Sequence, residues 1–175
     1  DASYPAVGEP YGLRSHLKRR ANSADHLIIT HPHFVDAAAA LAEHRRSVGL
    51  DVMVVSTTDI YNAFSFGNVR PEGIRDFISY AKRYWRRAPS HVLLMGAATV
   101  DPLGYLGTGD EDYIPAPFHV TSGNHFEAAS DGWYVHGHGQ IAIGRLAVES
   151  PLEAEQVVAK IIGWDGGGAG ASLFI

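Results

Sequence analysis

The chain has 175 residues, 46% hydrophobic and 19% charged, with a formal charge of −5; this suffices for one well-filled core and falls short of two ordinary domains. The acidic balance speaks against a nucleic-acid partner, which needs clustered Lys and Arg, and no apolar run approaches the ~18 residues of a membrane span. With no cysteine, these residues carry no disulfide, no Cys-ligated zinc and no thiol nucleophile.

Residues 1–24 hold Pro5, Gly8, Pro10 and Gly12, then the basic run Arg14, His16, Lys18, Arg19 and Arg20. They read as a linker or lead-in, and an Asp at position 1 suggests a piece of something longer, or a processed chain. Regular patterning starts with Leu27-Ile28-Ile29, a buried strand. Pro32 suits the first position of a helix, in which Phe34, Ala37, Ala38, Leu41 and Val48 share a face and which stops at Gly49. Val52 to Val55 reads as a second buried strand, followed by a helical turn from Thr58 to Phe64.

Pro71 opens a longer helix, with Ile74, Phe77, Ile78, Ala81 and Trp85 at helical spacing and Pro89 beyond its end. His91 to Met95 is a third buried strand, closing at Gly96. Three near-continuous apolar strands separated by amphipathic helices predict an α/β fold: a mostly parallel sheet with helices on both faces. About twenty residues punctuated by Gly and Pro then form one long loop. It leaves the carboxyl end of a parallel strand, where open α/β sheets place their sites.

Further short strands are expected at Phe118–Thr121, Trp133–Val135 and Gln140–Ile143, the last two joined by the turn 136–139. Ser150-Pro151-Leu152-Glu153 supplies an N-cap, a first-turn proline and a capping-box glutamate for a helix to about Trp164. Gly166 to Gly170 reads as a flexible tail, and Ser172-Leu173-Phe174-Ile175 as the start of another strand.

Ten histidines include the pairs His31/His33 and His136/His138, but zinc needs three or four ligands in tetrahedral geometry. Turn and helix-start positions account for both pairs, which ranks a zinc hydrolase last. Asp101, Asp110, Glu111 and Asp112 gather oxygen ligands that suit calcium, although their spacing matches no EF-hand loop. Neither a Gly-x-Ser-x-Gly elbow nor a phosphate-binding glycine motif is present.

The order of Asp51–Ser56 with Asp59-Ile60-Tyr61, Pro71–Phe77, Val92–Gly96 with Asp101-Pro102, Asp112-Tyr113-Ile114-Pro115, Ser130-Asp131 with Trp133-Tyr134, and Ile141–Leu146 resembles the gingipain-like cysteine peptidases. The resemblance covers roughly residues 26–165. It implies the first of two side-by-side α/β subdomains in a caspase-like arrangement, with residues 25–165 as that subdomain and 166–175 leading into the next. The catalytic Cys and His would then lie in the second subdomain, the partner of this one, and the substrate would be a peptide or protein. The resemblance also implies a bacterial, secreted or cell-surface setting, and raises the calcium reading.

Two departures stand out. Gly96-Ala97 replaces the family's Gly-Asp after the third strand, and Gln140 stands where better-known members place an acidic residue near the active-site histidine. An amide can orient an imidazole but cannot stabilise its charged form as a carboxylate does. Asp131, His136, His138 and Gln140 are the candidates beside the cleft. The alternative function is a stand-alone binding or assembly module that keeps the fold without the activity.

Overall fold

The computed structural model describes residues 16–99, 101, 105–107, 111–120, 127–137 and 139–167. Strands β1 (His26–Thr30), β2 (Val52–Ser56), β3 (His91–Met95) and β6 (Ala142–Leu146) form one sheet in the order β2-β1-β3-β6. Every pairing in it is parallel, with His26 opposite both Val52 and His91, and His91 opposite Ala142. Strands β4 (Phe118–Val120) and β5 (Glu127–Ala129) make a separate antiparallel pair.

Helices cover both faces, as the continuous apolar strands require. Leu27, Ile29, Val92 and Leu94 pack against Ile60 of α2 (Thr57–Phe64) and against Ile74, Phe77 and Ile78 of α3 (Pro71–Tyr84). On the opposite face Ile28, Leu93 and Met95 meet Ala38 and Leu41 of α1 (Val35–Ser47) and Ala154 and Val158 of α4 (Pro151–Gly167). Local chemistry fixes the helix ends. Ser56 Oγ accepts the Thr58 amide at 3.2 Å, and Ser150 Oγ accepts that of Glu153 at 3.2 Å while the Glu153 carboxylate reaches back to the Glu149 amide at 2.9 Å. Both groups satisfy amides that a helix start leaves without partners. Gly49, at φ +94°, terminates the α1 turn.

The fold departs from the sequence expectations in five places, the first being that the strand expected at Gln140–Ile143 is Ala142–Leu146, its start set by the pairing of Ala142 with His91. Part of the stretch read as lead-in is packed: residues His16–Lys18 form a 3-10 turn, Leu17 and Ala24 are fully buried, and the Trp85 indole donates to the Leu17 carbonyl at 2.9 Å. Trp85 itself lies beyond α3 in an extended conformation. Trp133–Val135 is not a strand. Asp131–Tyr134 is a 3-10 turn instead, because Trp133 lies over the Arg75 guanidinium at 4.5 Å and the Tyr134 hydroxyl bonds the Pro115 carbonyl. Finally, Gly166 and Gly167 end α4 rather than opening a flexible tail. The strand expected at Ser172–Ile175 lies outside the described residues.

Candidate functional site at the carboxyl edge of the sheet

The carboxyl ends of β1 and β3 deliver His31 and Gly96 to one edge of the sheet, and Arg145 of β6 organises what lies above them. Arg145 is the fourth residue of a five-residue strand and faces the α2/α3 side, as Ile143 does two residues earlier; alternation along a strand dictates this. Its side chain is 11% exposed, so each of its five N–H groups needs an acceptor. All five have one. Nε and Nη2 hold the Asp131 carboxylate at 3.0 and 2.7 Å, Nη1 reaches the carbonyls of Gly96 at 2.8 Å and Ile114 at 2.7 Å, and Nη2 also reaches Pro115 O at 3.3 Å.

The loop after β3 is pinned further by backbone bonds. Gly96 and Ala97 donate to Leu146 O and Val148 O at 2.9 Å each, and Ile114 donates to Ala97 O at 3.2 Å. Gly96 sits at φ +148°, and a Cβ there would lie 2.9 Å from Tyr113 Cβ and 3.2 Å from Ile114 Cγ1. Glycine is therefore required on both steric and conformational grounds. Tyr113 spans the edge, its hydroxyl donating to Glu149 O at 2.8 Å and its ring 5.1 Å from that of His31. Burial, reinforced by neighbouring His33, holds the His31 imidazole below its ordinary pKa.

Of the acidic residues in this loop, Asp101 is buried, and its two oxygens accept the amides of Tyr105 at 2.7 Å and Leu106 at 2.6 Å. Asp112 accepts the Thr99 amide at 3.4 Å. Burial pushes its carboxyl pKa up, against the opposing pull of that amide and of Arg145. Among the described residues no three His, Asp or Glu side chains come together as a metal would require. Asp101 and Asp112 are thus each bonded to loop backbone, and Asp110 lies outside the described residues.

The four cleft candidates are split. Asp131 is at the carboxyl edge, committed to Arg145. Gln140 and His136 are exposed and precede β6, whose first residue pairs with the first residue of β3, which puts Gln140 at the amino end of the sheet. His138 lies outside the described residues. His31 Nδ1 accepts the His33 amide at 3.3 Å and the two rings meet edge to face at 4.7 Å, a local helix-start arrangement with no third metal ligand among the described residues.

Sequence reasoning quoted Asp131 and Arg145 separately and missed that they form one device. A lone arginine inside the apolar run Ile141–Leu146 was the available signal, since a buried guanidinium demands a carboxylate and carbonyls. Tyr61 was also missed as a polar group. Its hydroxyl is buried with no hydrogen-bond partner among the described residues, and burial with the nearby Asp112 pushes its pKa up.

The model of peptidase family C25 matches residues 19–172. No curated protein matches the chain. Among solved structures it is similar to dimeric latent PorU from Porphyromonas gingivalis, with a TM-score of 0.66 and 22% identity, over 86% of this chain. The chain spans 17% of the length of that protein, and at such identity the likeness establishes the fold.

Proposed function

Because the chain belongs to peptidase family C25, the gingipain family of cysteine peptidases, we propose that it is the first α/β subdomain of such a peptidase's catalytic domain, inactive by itself. The observation that carries this reading is a family match over residues 19–172 in a sequence without a cysteine. The family's chemistry is thiolate attack on the scissile carbonyl with histidine as proton carrier, passing through an acyl-enzyme. In this reading both groups come from a second subdomain, arranged beside this one as in caspases, and act on a peptide or protein.

The contribution of this chain would be a fixed wall. Arg145 and Asp131 hold the loop after β3 against the sheet edge, so a cleft closed by the partner would have one side already formed. Pre-formed positioning of this kind lowers the ordering cost of binding. The solved relative is bacterial, and export of this protein is part of the proposal. No helix among the described residues is long and apolar enough to cross a membrane.

The test is peptidase activity toward a mixed fluorogenic peptide library, for this chain alone and joined to whatever its gene encodes after Ile175. The expected result is no turnover by the chain alone and turnover abolished by iodoacetamide in the joined protein. Turnover by the chain alone would overturn the reading. A joined protein that folds but remains inert would favour the alternative of a binding or assembly module.

A further inference from the structure

On the face of the sheet away from α2 and α3 there is a half-open cavity of about 240 Å³ between α1 and α4. Leu41, Leu93, Leu146, Ile161 and Trp164 give it apolar walls, and His26, Arg45, Lys160 and Asp165 supply its polar groups. Asp165 is already engaged, at 2.6 Å from Arg45 and 3.1 Å from His44. Lys160 is exposed and makes no ion pair among the described residues, so the mouth carries one uncompensated positive charge. The His26 imidazole makes no side-chain hydrogen bond among the described residues, its ring contact being the edge-on packing of His91 at 6.2 Å. Burial and the charge of Arg45 lower its pKa to about 4, so at neutral pH it offers one donor and one acceptor.

We infer that this cavity is a binding site for a compact apolar group bearing a carboxylate, with the apolar body against Leu93, Ile161 and Trp164 and the carboxylate at Lys160. Cavities of ~150 Å³ already accept a benzene ring, so a phenyl or branched alkyl group with its carboxylate fits a space of about 240 Å³. Apolar walls with a few convergent polar groups are the usual make-up of small-ligand sites. The same chemistry is offered by a free small acid and by the C-terminal residue of a peptide. The inference stands independently of the peptidase reading, since the site is lined by residues of this chain and lies on the face of the sheet opposite the Arg145 side chain.

The probe is 3-phenylpropionate, titrated into the 175-residue chain while amide and indole resonances are followed by NMR, with the neutral 3-phenylpropionamide as control. Saturable shifts at His26, Ile161 and Trp164 are expected, with the amide bound about two- to fivefold more weakly. Lys160→Glu, at an exposed position, leaves the fold intact and should erase the preference for the acid. A short peptide ending in phenylalanine, as free acid and as terminal amide, then assigns the source: preference for the peptide acid over 3-phenylpropionate points to chain termini, and the reverse to free acids. Absence of saturable shifts, or equal binding of acid and amide, overturns the inference.

Discussion

Arg145 and Asp131, fourteen residues apart in sequence, share a two-pronged ion pair in which Nε and Nη2 both contact the carboxylate. The pair is mostly shielded from water, with side chains 11% and 24% exposed. Removing one partner leaves the other charge desolvated, the costly way to break such a pair. Asp131→Ala should therefore lower unfolding free energy by about 2–4 kcal/mol, measured by urea titration. Arg145→Lys should cost nearly as much, because an ammonium cannot span a carboxylate and three carbonyls at once. In Arg145→Lys, hydrogen exchange at the Ile114 amide should accelerate more than at core amides of β1.

Two buried tyrosines should respond in opposite ways to loss of the hydroxyl. The Tyr134 hydroxyl bonds the Pro115 carbonyl, whereas that of Tyr61 has no partner among the described residues. Tyr134→Phe should destabilise by about 1 kcal/mol, and Tyr61→Phe should be neutral or stabilising by up to about 1 kcal/mol. Thermal melts of the two variants beside the parent decide this; equal losses would mean that the Tyr61 hydroxyl has a partner after all.

Gly96→Ala should cost about 1–3 kcal/mol, because the new methyl group meets Tyr113 Cβ at 2.9 Å and the backbone is held at φ +148°. Gly49, also at positive φ but with nothing within 4 Å of the place an added methyl group would take, isolates the conformational part. Gly49→Ala should therefore cost less, and paired urea titrations compare them.

Stability should fall on acidification because of His26. Its folded pKa of about 4 lies below the ordinary 6.5, so between these values the unfolded chain binds a proton that the folded chain refuses. The neutral-ring contribution is complete above pH 6.5 and is lost as pH falls toward 4, on the order of 2 kcal/mol after solvent screening. His26→Leu should flatten this part of the profile, seen as a smaller difference between unfolding free energies at about pH 7 and about pH 4.5.

The sheet strands β1, β2 and β3 were legible because each is a short apolar run buried on both faces, and Pro71 and Ser150-Pro151 announced their helices through chemistry confined to one turn. The segment Trp133-Tyr134-Val135 misled because aromatic and β-branched residues favour strands, while its conformation is decided by Arg75 and Pro115, distant in sequence. The same holds for the carboxyl edge. Arg145 was visible as a residue, but its acceptors lie up to 49 positions away, and no local pattern encodes such a meeting. Similarity of segments named Gln140 as a candidate, and its position at the amino end of the strands is visible only in the parallel pairing of β6 with β3.

The reach of Arg145 also sets an order of events during synthesis. The carbonyls of Gly96, Ile114 and Pro115 emerge from the ribosome well before the guanidinium that binds them, so the loop after β3 waits, solvated, until the edge strand arrives. Contacts of such sequence separation close late because the intervening chain must first give up its freedom. A chain truncated before residue 145 and freed from the ribosome should therefore expose that loop to proteases, whereas a chain that includes β6 should protect it.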